Sequence, residues 1–250
     1  MHWRIGLIAL AWLPFASCAE PARADFDYYL LALSVAPAFC EDEPQRKRGY
    51  AQCKALTEHG FKAMPLTLHG LWPNRFDRRH PAWCGGETRG AFCSLPALQL
   101  PADARARLAR AMPAMADCLE RYQWAKHGSC AGLDAGTYFA AAAALTERVN
   151  RALGEAIAGH AGREVGLDVL RQALARADPA LRDAVIFDCR TPRTPDPAKR
   201  RPMLREVRVV FERDPATGAP GRPLDFRRAG AKHYNSGCPR GRAYVDSPLD

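Results

Sequence analysis

The sequence lacks most features that mark membrane, repeat or zinc-binding proteins. After residue 15, no apolar run approaches the roughly 20 residues needed to cross a bilayer. No internal repeat is present, and the cysteines lack the paired C-x2-C spacing of zinc sites. The 250 residues, 48% hydrophobic and 25% charged, also lack the bias of disordered or fibrous chains. These absences predict an ordinary globular protein.

The first 24 residues have the pattern of a signal peptide. A positively charged start is followed by apolar residues 5–15 and by an A-x-A cleavage site at Ala22–Ala24. We therefore expect a periplasmic or secreted protein with one domain over residues 25–250. Two alternatives stay open: a buried N-terminal helix, and lipid attachment at Cys18, which follows a loose lipobox.

The cysteines are even in number once the signal peptide is removed. The mature chain keeps eight of nine cysteines and a formal charge of +8, from 34 basic and 26 acidic residues. An even count after an export signal indicates disulfides, because exported compartments are oxidising, but eight cysteines allow 105 pairings. Zinc binding, suggested by His127–Cys130, is the competing interpretation.

Hydrophobic patterning predicts strands near both ends of the chain and helices between them. Strands are predicted at Phe26–Val35, Pro65–His69, Ala184–Cys189 and Leu204–Phe211, with Gly70–Pro73 breaking the second. Helices are predicted at Ala102–Ala111, Cys118–His127, Thr137–Leu153 and Leu167–Ala175. Residues 74–96 are expected to form a long loop pinned by disulfides. This order predicts an α+β fold rather than alternating βαβ units.

Two short segments carry the residues of chemical interest. The first contains His69 and Trp72, and the second contains Gln123, Lys126 and His127. If the second segment is helical, its three residues share one face, because positions i, i+3 and i+4 are neighbours on a helix. Each residue alone is more often a core or surface residue than a catalyst. Only the joint pattern indicates a site.

This set of side chains suits cleavage of RNA without a metal. The attacking 2′-hydroxyl must lose a proton and the leaving 5′-oxygen must gain one, which two imidazoles with a pKa of about 6.5 can do. A cation such as Lys126 stabilises the charge that builds on the phosphate oxygens. Trp72 offers a surface on which a base can stack, worth about 1–3 kcal/mol.

The two segments resemble those of a known enzyme family. His69–Pro73 and Lys126–Cys130 are similar to the two active-site segments of the ribonuclease T2 family, and Leu119–Tyr122 is similar to its bacterial, ribonuclease I-like branch. The resemblance implies an α+β fold with helices packed on a central antiparallel, disulfide-stabilised sheet. It also implies an endoribonuclease that cleaves single-stranded RNA through a 2′,3′-cyclic phosphate, with low base specificity and neither metal nor cofactor.

The resemblance also implies a role for each matching residue. His127 would take the proton of the 2′-hydroxyl, His69 would protonate the leaving 5′-oxygen, and Lys126 would stabilise the charged phosphorane. Trp72 would stack on the first base, and Asn74 stands where the family often has an Asp that contacts this base. The implied disulfides are Cys189–Cys238 and Cys130 with Cys84 or Cys93, while Cys40, Cys53 and Cys118 are left unassigned.

One departure from the family bears on the mechanism. Gln123 stands where family members usually carry Glu, whose carboxylate is thought to assist at the phosphate. An amide can hydrogen-bond a phosphate oxygen but cannot exchange a proton with it. We therefore expect slower cleavage and an altered pH profile compared with relatives.

Two other functions compete with a nuclease. One is an RNA-binding relative whose activity is weakened by Gln123, although the retention of both histidines and the lysine argues against it. The other is a secreted binding module whose motifs are coincidental. In each RNA-directed case we expect a monomer that binds RNA and not DNA.

The basic charge of the chain is a weaker guide to its partner. The formal net charge is +9, which favours polyanions, but scattered arginines give the same value. The arginines after the first segment either follow an RNA backbone or form a solvated loop; they are Arg75, Arg78, Arg79 and Arg89.

Overall fold

Seven strands form one sheet within the residues that the structure, a computed structural model, describes: 25–43, 47, 49–87, 89–230 and 237–248. The strands are β1 (Tyr28–Val35), β2 (Leu66–Asn74), β3 (Arg163–Gly166), β4 (Val185–Arg190), β5 (Met203–Arg213), β6 (Pro220–Pro223) and β7 (Arg242–Val245). The α-helices are α1 (Ala36–Glu41), α2 (Ala51–Lys54), α3 (Glu58–Ala63), α4 (Ala102–Ala111), α5 (Leu119–Lys126), α6 (Ala135–Ala158) and α7 (Leu167–Ala177).

Strand β5 is the longest and lies at the centre of the sheet. On one side β1 runs antiparallel to it, and β2 completes that edge. On the other side β4 and β6 pair antiparallel with successive parts of β5. β7 meets β5 in parallel at Met203 and Tyr244, and β3 pairs antiparallel with β7. The predicted disulfide-stabilised α+β fold is confirmed, and the sheet is antiparallel apart from the contact between β5 and β7.

The two faces of the sheet bury cores of different size. On one face, side chains of β1, β2, β4 and β5 pack against α4, α6 and α7 in the large core. On the opposite face a smaller cluster includes Tyr28, Leu30 and Val210, with Trp72 packed against it. Because both faces of β1 are covered, this strand is almost continuously apolar instead of alternating. The smaller cluster lies on the face that carries the candidate site.

A β-bulge at His69 carries β2 past the predicted end of the strand. Two consecutive residues of β1 pair with Gly70 and Leu68, so His69 is an extra residue between them. The bulge shifts the alternation by one, and both Leu68 and Leu71 therefore reach the large core. The prediction that Gly70–Pro73 breaks the strand is wrong. β2 is an edge strand, where proline is tolerated because one side of the ladder is unpaired.

All eight cysteines of the predicted mature chain are paired. Cys189–Cys238 and Cys84–Cys130 agree with the pairings that the family resemblance implies, and Cys40–Cys53 and Cys93–Cys118 complete the set. Two of these bonds tie the long loop before α4 to the two ends of α5. The cysteines therefore act as the predicted disulfide framework, and the competing interpretation as zinc ligands is wrong.

Residues 1–24, with the predicted signal peptide and Cys18, lie outside the described residues, so the domain boundary at residue 25 stays a prediction. Within the described ranges, no helix combines the length and the apolar character of a membrane-spanning segment.

Candidate active site

The indole of Trp72 contacts both predicted catalytic histidines. The centre of its indole is 5.3 Å from the imidazole of His69, edge to face, and 5.4 Å from the imidazole of His127. His69 comes from the bulge of β2, whereas His127 comes from the end of α5. All three side chains are half-buried. The fold thus brings two imidazoles from distant parts of the chain to one indole.

A partly buried hydrogen bond holds this indole in place. Trp72 Nε1 donates to Gln123 Oε1 over 2.9 Å, and Gln123 is only 2% exposed. Gly70 makes room for the bond, because a Cβ there would lie 2.1 Å from Oε1 and 2.4 Å from Nε1. Since the amide oxygen faces the indole, the NH2 group of Gln123 is the part able to donate elsewhere. The predicted contact of Gln123 with a phosphate stays a prediction.

His127 follows the last residue of α5, so the helix predicted over Cys118–His127 is one residue too long at each end. Its φ of −123° and ψ of −51° leave the helix, although its N–H still donates to the carbonyl of Gln123 over 3.0 Å. Burial, followed by the charges of Lys126 and His69, lowers the pKa of His127 to about 3. The imidazole is therefore neutral near pH 7, which is the form that accepts a proton.

Glu206 on β5 is a neighbour of His69 that the sequence pattern did not predict. Its carboxylate lies 2.8 Å from Nδ1 of His69, and its side chain is 7% exposed. Burial raises the pKa of Glu206, but the hydrogen bond and charge of His69 and the charge of Arg208 outweigh burial and lower the pKa to about 2. In the sequence of β5, charged residues alternate with valines. This pattern is typical of a strand with one face in solvent, so it did not identify Glu206 as a site residue.

Lys126 precedes His127 and is anchored through its backbone. Its carbonyl accepts a hydrogen bond of 2.9 Å from the N–H of Trp83, and its ammonium group lies 5.5 Å from the centre of the Tyr122 ring. The disulfide Cys84–Cys130 joins the same loop to the residues after α5. The charge of Lys126 acts on the imidazole of His127 and contributes to lowering its pKa. The predicted action of Lys126 on a phosphate stays a prediction.

Asn74, the predicted base-contacting residue, is buried at the last position of β2, with 4% exposure. Its carbonyl accepts a hydrogen bond of 2.9 Å from the N–H of Asp27. The predicted contact of its side chain with a base stays a prediction.

The arginines of the following loop are partly engaged with local carboxylates. Arg75 pairs with Asp25 and Asp77, and Arg79 pairs with Asp77. The hydrogen bonds from Arg75 and Arg79 lower the pKa of Asp77 to about 2. This pairing favours the interpretation as a solvated loop over a dedicated RNA-binding row.

The described side chains offer acid–base chemistry at one place. They supply the neutral imidazole of His127, a second imidazole hydrogen-bonded to a carboxylate, an ammonium group and an indole. This set of groups is suited to moving two protons at an anionic centre. Over the described ranges, His, Cys, Asp and Glu side chains do not gather in groups of three or more that could hold a metal ion.

Comparisons with known proteins give the family of the chain. The model of the Ribonuclease T2 family matches residues 26–218. Ribonuclease I of Escherichia coli is 33% identical over 203 residues, which cover 70% of this chain and 76% of that protein. A probable ribonuclease of Haemophilus influenzae is 34% identical over 126 residues, 48% of this chain and 42% of its own length.

Solved structures share the fold at lower identity. The crystal structure of RNase NT in complex with 5′-AMP has a TM-score of 0.55 and 17% identity, over 80% of this chain and 98% of that one. A variant of RNase MC1 in complex with 5′-UMP has a TM-score of 0.52 and 22% identity, over 76% of this chain and 89% of that one. Because the family model covers most of the chain and a bacterial ribonuclease I is its relative over most of both lengths, the chain belongs to the Ribonuclease T2 family, in its bacterial, ribonuclease I-like branch.

Proposed function

We propose that this chain is an exported enzyme that cleaves single-stranded RNA without a metal, through a 2′,3′-cyclic phosphate and with low base specificity. Family membership makes it an endoribonuclease of the ribonuclease T2 type. The observation that supports the proposed mechanism is the unequal environment of two imidazoles beside one indole. His127 is neutral, whereas His69 contacts a buried carboxylate.

This inequality assigns the two proton-transfer roles. His127 accepts the proton of the 2′-hydroxyl as that oxygen attacks phosphorus. His69, whose Nδ1 lies 2.8 Å from the buried carboxylate of Glu206, donates a proton to the 5′-oxygen as its bond to phosphorus breaks. In many enzymes, two titratable groups in different environments act one as the acid and the other as the base. The products are a 2′,3′-cyclic phosphate and a 5′-hydroxyl.

The remaining residues act on the phosphate and the base. Lys126 stabilises the charge on the phosphorane more than that on the substrate. Trp72 stacks on the first base, Asn74 contacts it, and the NH2 group of Gln123 donates to a phosphate oxygen. Without a carboxylate at position 123, proton exchange at the phosphate is confined to the two histidines.

Digestion of RNA by the purified exported protein in EDTA tests the proposal. We expect fragments that end in a 2′,3′-cyclic phosphate, and we expect a linkage lacking its 2′-hydroxyl to survive in an otherwise identical oligonucleotide. His127→Ala should abolish cleavage while leaving thermal stability nearly unchanged. RNA that is bound but not cut would favour the RNA-binding alternative, which Gln123 motivates. Neither binding nor cutting would favour a binding module.

Export and oligomeric state are tested separately. Four disulfides suit an oxidising compartment, which supports a periplasmic or secreted location. N-terminal sequencing of the exported protein should begin at Asp25, whereas a chain that begins with lipid-modified Cys18 would show a tether. Size-exclusion chromatography should give the mass of a monomer.

A further inference from the structure

We propose that Glu206 is a positioning residue for His69: its carboxylate accepts a hydrogen bond from the Nδ1–H group, directs Nε2 towards the leaving oxygen and stabilises the imidazolium. This inference rests on the function proposed above, in which His69 is the acid. The carboxylate lies 2.8 Å from Nδ1, a normal hydrogen-bond distance.

The contact crosses three strands, and the middle strand leaves space for it. β1 lies between β2, which carries His69, and β5, which carries Glu206. In register, Glu206 faces Ser34 of β1, and Gly70, the neighbour of His69, faces Ala32. Because the β1 residues Ala32 and Ser34 have small side chains, the imidazole of His69 and the carboxylate of Glu206 can contact each other across the face of β1. The bulge re-aims His69, a common use of bulges next to active sites.

Arg208 holds the carboxylate in the orientation that His69 needs. Oε1 of Glu206 faces Nδ1, while Oε2 accepts from Nε and one terminal nitrogen of Arg208 at 2.9 and 2.7 Å. The same guanidinium reaches Asp188 on β4 at 3.3 Å. Both oxygens of Glu206 are thus engaged, so the carboxylate cannot rotate away from the imidazole without losing hydrogen bonds.

The proton balance of the step fits this arrangement. As the bond from phosphorus to the 5′-oxygen breaks, the oxygen takes the Nε2 proton, and the N–H electron pair stays on the ring. The neutral ring that remains carries its proton on Nδ1, the tautomer that the carboxylate binds. Glu206 stays ionised throughout, as the aspartate of a Ser-His-Asp triad does.

Charged groups from several elements face the pair directly or through a neighbour. Arg208 of β5 acts on Glu206, Asp188 of β4 interacts with Glu206, and His127 at the end of α5 interacts with His69. A second set lies one step further out: Arg190 and Arg205 act on Asp188, and Lys126 and His80 act on His127.

The test compares two substrates that differ in their need for an acid. A ribodinucleotide such as UpA leaves an alkoxide that must be protonated, whereas uridine 3′-(4-nitrophenyl phosphate) releases a stable phenolate without a proton. For Glu206→Gln we expect kcat/KM to fall about tenfold to a hundredfold on UpA, the range of a charge-assisted hydrogen bond, and to stay near wild type on the aryl ester. The alkaline limb of the UpA profile should move to lower pH.

Asp188→Asn is the matched control. Asp188 faces Glu206 in register and accepts a hydrogen bond from the same guanidinium, whereas the hydrogen bond to His69 comes from Glu206. It should leave the ratio of the two substrates unchanged. If Glu206→Gln does not fold, it is combined with Arg208→Met and Asp188→Asn, which removes all three charges of the cluster, and this variant is measured in the same way.

The outcomes separate the inference from the function on which it rests. Equal losses on both substrates with an unmoved alkaline limb, or no loss on either, would overturn the positioning role. Wild-type protein that cleaves neither substrate would overturn the proposed function itself, before any variant is compared.

Discussion

Replacing Gly70 by Ala should dislodge the indole that contacts both histidines. The added methyl group would lie 2.1 Å from Oε1 of Gln123 and 2.4 Å from Nε1 of Trp72, far inside ordinary van der Waals contact. Gln123 has little room to retreat, because it is almost completely buried. The hydrogen bond of 2.9 Å between the two side chains must therefore break.

The expected cost follows from these contacts. A buried hydrogen bond left unsatisfied costs about 1–3 kcal/mol, and an extra methyl group in a packed interior costs a similar amount. We expect the free energy of unfolding of Gly70→Ala to fall by about 2–6 kcal/mol, which corresponds to a Tm lower by about 4–24 °C. Cleavage of RNA should slow by about a hundredfold, the usual effect of moving a catalytic group by about 1 Å.

Thermal unfolding followed by circular dichroism and a dinucleotide cleavage assay measure the two effects. Gly90→Ala is the matched control, since Gly90 is exposed and its added Cβ would meet the Oγ of exposed Ser94 at 3.0 Å. It should change neither stability nor rate appreciably. If Gly70→Ala also kept the wild-type stability and cleavage rate, the close approach of Gly70, Trp72 and Gln123 would not be what keeps the indole in position.

Three further predictions concern the acid–base groups and the disulfides. Because the pKa of His127 is lowered to about 3 from 6.5, kcat/KM should be halved on the acid side near pH 3; halving near pH 6.5 in a pH titration would contradict the assignment. Gln123→Glu should raise the pKa of His127 and move that acid limb up by about one unit or more, whereas a rate and profile equal to wild type would make Gln123 a bystander. Replacing the pair Cys84–Cys130, 46 residues apart, by alanines should cost about 4 kcal/mol in chemical denaturation and slow cleavage. Replacing Cys40–Cys53, 13 apart, should cost about 3 kcal/mol without slowing cleavage; equal slowing would show that the first disulfide does not support the site.

Long elements of this protein were predictable from local pattern. The helix over Ala102–Ala111 has the predicted bounds, and the predicted strand over Phe26–Val35 begins only two residues early. The predicted helix Thr137–Leu153 extends to Ala135–Ala158, where the side chain of Asp134 caps its first turn. Short elements, among them β3, β6 and β7, escaped prediction because four-residue strands form through pairing with neighbours and carry little periodicity of their own.

The sequence by itself determined the family, the disulfide chemistry and the two segments that carry His69, Trp72, Lys126 and His127, because these depend on residue type and short spacing. Only the tertiary structure decided that β2 continues through a bulge at His69 and that Glu206 reaches this ring from a strand far along the chain. A charged residue in an alternating strand has the same pattern whether it faces water or a catalytic group. The difference depends on strand order and register, which bring distant residues together and leave no local mark in the sequence.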